Sequence, residues 1–329
     1  MRRLLVTGAR GQIGSELVPA LRSRYGVERV IASDLGAAVS EGPWEHLDCT
    51  DLEALRSVML RHEVGEIYHL AAVLSAVAES DPGKAWRLNM ASLENVLTAA
   101  RELASRVFFP SSIAVFGPST PRINTPQLAI QRPVTIYGVT KVAGELLCDY
   151  YATRFGVDVR GLRLPGLISY VAPPGGGTTD YAVEMLRAAA RGEGYSCFLA
   201  PETRLDMMYM PDAVAAIIQL MEASAARLKH RTAYNVAAMS VTPAELAAEI
   251  RERLPQFILD YCVDPLRQSI ADSWPQSLDV SAARDDWGFA PRFGLSAMTQ
   301  DMLCHLAAQA QSAKARPPGG TSDAERKTG

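Results

Sequence analysis

Tyr137 and Lys141 stand four residues apart in a stretch patterned as a helix, which sets a phenol and an ammonium on one helix face. An ammonium beside a phenol favours the phenolate. A tyrosine ordinarily titrates near pKa ~10, too high for a base at neutral pH. The pair therefore makes a general base able to take a proton from an alcohol. Tyr-x-x-x-Lys alone is common on surface helices, so its meaning depends on what surrounds it. Ser111 and Ser112 follow the apolar run 107–109, just beyond the carboxyl end of an expected strand. A hydroxyl there can hold a substrate oxygen in line with the phenol; a turn or a helix cap uses serines equally well.

A second group of residues can hold the oxidant. Gly8-Ala9-Arg10-Gly11-Gln12-Ile13-Gly14 follows an apolar run and opens a helical pattern. The first glycine permits a tight turn, the next lets backbone approach a pyrophosphate, and the last lets helix and strand pack closely. The N–H groups and positive dipole end of the helix then face the phosphates. Asp34 ends the next apolar run, about 20 residues past the last glycine, where a carboxylate accepts hydrogen bonds from both ribose hydroxyls and repels a 2′-phosphate. That selects NAD over NADP, although an aspartate at a strand end also suits a turn or cap.

These residues need a scaffold in which strands end beside helix starts. Strand patterns at 4–6, 30–33, 67–70, 107–109 and 157–164 alternate with helical patterns at 12–24, 52–61, 82–103 and 135–154, Asp51 being an N-cap. Alternation of this kind predicts an α/β fold with a doubly wound parallel sheet. The expected organisation is an NAD-binding domain over residues 1–165 that carries the catalytic residues, with further sheet elements near 207–236. A smaller, mainly substrate-binding lobe follows over 166–313, with Pro173-Pro174-Gly175-Gly176-Gly177 as a loop, a helix from Thr179 to Arg191 and a strand over Met207-Met208-Tyr209-Met210. The run from Lys314 to the end lacks apolar residues and reads as a disordered tail.

Composition narrows the partners. Net charge is -3 and basic residues are scattered, which gives no basis for binding nucleic acid or an anionic membrane. Met1-Arg2-Arg3 runs straight into a strand pattern and reads as the start of a fold, not a signal peptide. No apolar run is long enough to span a bilayer. The 5 cysteines and 5 histidines show no metal-ligand spacing, and the cysteines fit a reducing cytoplasm as small buried apolar residues. His69, at the end of an apolar run, reads as structural.

The order of glycine loop, acidic strand end, serine at a later strand end and Tyr-x-x-x-Lys resembles the extended short-chain dehydrogenase/reductase family over roughly residues 1 to 310. Gly-x-x-Gly-x-x-Gly is that family's spacing. Its catalytic Ser or Thr stands three residues before a Val-Tyr-Gly run; Val115-Phe116-Gly117 matches and selects Ser112. The resemblance implies that Ser111 contacts cofactor or substrate and that Asp48 and Cys49 lie by the adenine. It also implies that Leu70, Ala71 and Ala72 line the nicotinamide side, with Leu164 and Leu167 as further cofactor contacts.

Many members of that family act on sugar nucleotides, and a sugar-nucleotide epimerase or dehydratase is one alternative; a non-catalytic NAD sensor is another, disfavoured by the intact Ser112, Tyr137 and Lys141. The sugar-nucleotide pattern is broken in two places. Leu162-Arg163-Leu164-Pro165-Gly166 lacks the usual Asn, and Leu205 stands where a phosphate-binding Arg belongs, with Arg204 one position off. Four stretches are instead similar to the short-chain L-threonine 3-dehydrogenases. They are Gly117-Pro118-Ser119-Thr120-Pro121, residues 173–181, residues 203–209 and residues 261–268, with Ser273-Trp274-Pro275 beside them. This resemblance implies metal-independent oxidation of L-threonine at C3 to 2-amino-3-oxobutyrate, a homodimer through helices near 82–103 and 135–154, and a substrate site at Ser75, Ser112, Tyr137, Gly177, Thr178, Thr179, Asp180 and Trp274. Thr178 and Thr179, placed at a helix start, would bind the carboxylate. Asp180 would face the ammonium or steady the first helical turn, Trp274 would act as a lid or as core, and the three glycines would let the segment move.

Overall fold

The computed structural model describes residues 2–39 and 41–315. The chain runs β1 (Arg3–Thr7), α1 (Gln12–Tyr25), β2 (Val30–Asp34), β3 (Trp44–His46), α2 (Leu52–Arg61), β4 (Val64–His69), α3 (Ser75–Ser80), α4 (Pro82–Leu103), β5 (Arg106–Ser112), α5 (Ile136–Phe155), β6 (Val159–Leu164) and β7 (Gly166–Ile168). It continues with α6 (Tyr181–Ala190), β8 (Tyr195–Cys197), β9 (Leu205–Tyr209), α7 (Met210–Glu222), β10 (Tyr234–Asn235), β11 (Met239–Val241), α8 (Pro243–Arg251), β12 (Leu259–Tyr261), α9 (Pro265–Asp272), α10 (Ser281–Trp287) and α11 (Leu295–Ala315).

Seven strands form the main sheet in the order β10-β6-β5-β4-β1-β2-β3, and their pairings are parallel. Strands buried on both faces need continuous apolar runs. Leu4, Leu5 and Val6 supply one, with Leu5 packing into the core on one face and Leu4 and Val6 into that on the other. From β1 the chain winds outward to β2 and β3; from β4 it winds the other way to β5, β6 and β10. The reversal falls between β1 and β4, and the crevice beyond the carboxyl ends of such strands is where α/β sheets bind ligands. Gly8 and Leu70, the residues just past these two strands, border it.

The second half returns to the main sheet through β10 alone. β9 pairs instead with β7 and β11 in a three-stranded sheet, and β8 pairs with β12. A separate apolar core, including Tyr181, Leu205, Tyr209, Trp274 and Met302, lies under this part of the chain.

Several element ends differ from the sequence expectation. β5 extends to Ser112, because its ladder with β6 continues through Ser111↔Arg163 and Ser112↔Leu164, so both serines lie inside the strand. α6 begins at Tyr181, not Thr179: residues 178–180 form a turn. Met210 opens α7, where Pro211 sits in the first turn, instead of ending β9. Lys314 and Ala315 belong to α11; the remainder of the expected tail, 316–329, lies outside the described residues. Among the described residues, no helix is long and apolar enough to cross a membrane.

Candidate active site

The glycine loop is shaped for a close-packed ligand. Gly8 has φ +67, and a Cβ there would stand 2.7 Å from the Ala71 nitrogen. A Cβ on Gly14 would stand 2.5 Å from the Gly8 carbonyl oxygen, so α1 rests directly on the loop. Gly11 caps α1 without a side-chain hydrogen bond, which leaves the helix amides open. Gln12 adds a buried amide nitrogen with no protein partner. An uncapped helix end and an orphaned donor beside it fit a phosphate group.

Asp34 ends β2 beside this loop. Its carboxylate accepts from the Arg10 amide at 3.1 Å and the Gly36 amide at 3.3 Å, so it also braces the turn around it. A cavity of about 300 Å³ runs from Asp34 along Asp48, Cys49 and Thr50 to Leu70, Ala71 and Ala72. A second, of about 200 Å³, shares Gly8, Gly11, Leu70 and Ala72 with it. The second reaches Gln12, Ile13, Gly14, Ser75, Ser111, Ser112, Tyr137, Lys141, Leu164, Leu167, Gly177, Thr178, Thr179, Asp180 and Trp274. The sequence-predicted cofactor and substrate residues thus border one cleft, with Asp34 at one end and Tyr137 towards the other. Removing the Asp34 carboxylate should lose charge-assisted hydrogen bonds worth about 1.5–3 kcal/mol. Asp34→Ala is therefore expected to raise the KM for NAD by roughly 10- to 100-fold and to narrow the preference over NADP. Steady-state kinetics with both cofactors measure this; an unchanged ratio would remove Asp34 from ribose recognition.

Tyr137 is placed by the start of α5. Thr135 caps the helix, its hydroxyl accepting from the Gly138 amide at 3.1 Å, and the Ile136 amide donates to Glu79 at 2.7 Å. Any Cβ at Gly138 would collide with the Ala114 carbonyl, so glycine lets the first turn lie against residues 113–115. The Ser112 hydroxyl lies beside the Tyr137 phenol and favours its ionised form. Lys141 is 5% exposed; its ammonium donates to the Pro110 carbonyl at 2.6 Å and lies 5.5 Å from the Tyr137 ring centre.

The electrostatics correct one expectation. Burial pushes the Tyr137 phenol up to about 12, with the Ser112 hydroxyl opposing. The Lys141 ammonium, aimed at the Pro110 carbonyl and the face of Phe109, 4.9 Å away, does not outweigh burial. Burial pulls Lys141 itself down to about 8, opposed by Cys148 and Glu145. His69, 3% exposed, bonds to Thr7 at 3.0 Å and is pulled down to about 3 by burial, which fits its structural reading.

Two other side chains take roles different from those expected. The Ser111 hydroxyl donates to Glu145 and not into the cleft, although the residue borders it. Asp180 reaches back, accepting from the Gly176 and Gly177 amides at 2.7 and 2.6 Å, and so pins the glycine loop. Its carboxyl is raised by burial. Thr178 lies in the turn before α6, 1% exposed, and its hydroxyl has no protein partner. Trp274 is at once core and cleft wall. Arg204 points away, to the Ser240 carbonyl and to Glu245, and Leu205 is fully buried in the core. Asp206 and Asp212 are spent on the backbone amides of Leu278, Arg292 and Phe293.

Sequence reasoning missed some cleft residues. Thr50 bonds to Asp48 and borders the cavity beside it; Asn89 clamps Val73 through both its amide atoms; Leu74, Ile113, Pro165 and Gly166 are among the other wall residues. Thr50 was detectable as a neighbour of Asp48. Asn89 sits mid-helix in α4 with no local signature.

The glycine loop at the switch point, the Asp34 strand end and the Ser112, Tyr137 and Lys141 group together define an NAD-binding oxidoreductase on a short-chain dehydrogenase scaffold. The chain belongs to the NAD dependent epimerase/dehydratase family, whose model matches residues 4–237. An uncharacterized epimerase/dehydratase of Staphylococcus saprophyticus is 54% identical over 308 residues, covering 92% of this chain and 96% of that one. The structure of L-threonine dehydrogenase from Clostridium difficile has a TM-score of 0.92 and 52% identity, covering 94% of this chain and 98% of its own. The holo form of a GalE-like L-threonine dehydrogenase from Cupriavidus necator has a TM-score of 0.91 and 52% identity, covering 92% and 99%.

Proposed function

We propose that this protein oxidises L-threonine at C3 with NAD, giving 2-amino-3-oxobutyrate. The observation that carries the reading is full-length similarity, at 52% identity, to two L-threonine dehydrogenases. The substrate end of the cleft supports it. Thr178 borders the cavity, and its orphaned hydroxyl offers a donor to a carboxylate. The arginine that a nucleotide substrate would need is turned to Glu245.

In this reading Ser112 holds the C3 hydroxyl and Tyr137 takes its proton. NAD, when bound, supplies the hydride acceptor and a cationic ring. A phenol must lose its own proton before it can accept another. Burial opposes that in the ligand-free cleft, and positive charge in the cleft, Lys141 included, works in the opposite direction. Gly8, Gly11, Gln12 and Gly14 would hold the pyrophosphate and Asp34 the ribose. On this reading the reaction is metal-independent, which a chelator tests directly. The partner is thus a small amino acid, and the chain works as a homodimer through α4 and α5, where Trp86, Leu146 and Tyr150 are exposed.

NADH formation from L-threonine, followed at 340 nm, is expected to proceed at full rate in the presence of a chelator. Absence of turnover, or its loss on chelation, would sink the proposal; tight binding of a UDP-sugar would favour the epimerase reading instead.

A further inference from the structure

We infer that Glu145 is a positioning residue for the Ser112, Tyr137 and Lys141 group, locking the end of β5 to α5; this rests on the proposed alcohol oxidation but not on which alcohol is oxidised. Three side chains of α5, each one turn beyond the last, take three consecutive residues of β5. Tyr137 stands beside Ser112, Lys141 donates to the Pro110 carbonyl, and Glu145 accepts from the Ser111 hydroxyl. Positions four apart share a helix face, so the carboxylate sits directly beyond the ammonium along the seam.

Glu145 is itself held rigidly. It is 5% exposed and receives the Arg163 guanidinium from β6, with contacts of 2.9 and 2.8 Å, and the Gln131 amide at 2.6 Å. Ser111 and Arg163 are register partners across the β5–β6 ladder, so one carboxylate gathers donors from both strands and anchors them to the helix. Arg163 is fixed in turn by the Gln127 carbonyl at 2.8 Å and by Asn235 at 3.1 Å. A buried carboxylate persists only when charge and hydrogen bonds compensate it. Here two of the partners, Ser111 and Arg163, lie on the paired strands β5 and β6 that set the Ser112 to Tyr137 separation.

The same carboxylate steadies the Lys141 charge. The groups facing Lys141 are Tyr137, Glu145 and Cys148 on α5, Phe109 and Pro110 on β5, and neutral His69 on β4. Burial disfavours the ammonium, and Glu145 opposes burial. Deleting the negative charge leaves Arg163 uncompensated nearby, so both changes push the lysine pKa down.

Glu145→Gln in the full chain is expected to bring the Lys141 titration down by about one pH unit. This is read from the NMR of ¹³C-lysine protein, with the resonance assigned by Lys141→Arg. Turnover is expected to fall roughly 10- to 100-fold, the scale of a small misplacement of catalytic groups, with the KM for NAD within about threefold of wild type. Ser111→Ala, which breaks the strand link and keeps the charge, is expected to lower kcat about 3- to 10-fold and leave the Lys141 titration in place. A folded Glu145→Gln protein with wild-type titration and kcat, changed only in Tm, would overturn the inference. If that variant does not fold, Ser111→Ala decides: full kcat overturns the lock. Failure of the threonine assignment would show separately, as a wild type without turnover whose Lys141 titration still responds to Glu145→Gln.

Discussion

Tyr137→Phe is expected to lower kcat for NAD-linked threonine oxidation by about 10²- to 10⁴-fold, the range supplied by a positioned general acid–base. The substitution removes one oxygen. That oxygen lies beside Ser112, which keeps its bond from the Ala114 amide at 3.2 Å. No buried donor is orphaned, and the ring keeps its packing beneath Lys141. The loss in stability is therefore about 1 kcal/mol or less, and the affinity for NAD, which rests on the glycine loop and Asp34, should change by no more than about threefold. Turnover assays, calorimetric titration with NAD and a melting curve together separate these effects. Retention of full turnover would remove Tyr137 from the reaction and with it the proposed chemistry. A large loss of NAD affinity would instead make the residue a cofactor anchor.

What the sequence disclosed about this cleft was what backbone geometry and local order encode. Glycines at positions 8, 11 and 14 and an aspartate at 34 are readable because each meets a demand made by its own loop. Asp51 and Thr135 were placed correctly at helix starts because capping involves only the next three residues. Less was legible where the outcome depends on distant partners. Ser111 looked like a ligand contact, yet it belongs to Glu145, 34 residues on. Asp180 was read as facing an ammonium or steadying the helix that follows, and its carboxylate accepts from the glycines that precede it. β9 carries the pattern of a main-sheet strand but pairs elsewhere, because pairing is chosen by tertiary packing and not by propensity. Spacing shows that Tyr137 and Lys141 share a face of α5, but not that burial raises the phenol and lowers the lysine, because burial is set by the packing of distant elements.

Gly14→Ala should abolish useful NAD binding, raising Kd by about 100-fold or more, through a methyl group that touches no ligand. The new Cβ would stand 2.5 Å from the Gly8 carbonyl oxygen and 2.7 Å from the Ala9 Cα, all backbone, so no side chain can swing aside. Gly8 cannot retreat either, since its own vacant Cβ position lies 2.7 Å from the Ala71 nitrogen, two residues past β4. The strain must be released by moving α1 away from the loop, and that shifts the uncapped amides that face the phosphates. Overpacking of this kind costs about 1–3 kcal/mol, so the fold should survive with a lowered Tm while binding fails. Gly156→Ala is the matched control. Gly156 has positive φ, +71, but a Cβ there meets nothing within 4 Å, and it caps α5 far from the cleft. A left-handed alanine costs about 1 kcal/mol, so the two variants should be comparable in stability and differ in affinity. Equal NAD binding by both would show that the close approach of α1 to the loop is a packing feature alone, and that the phosphate site tolerates a displaced helix.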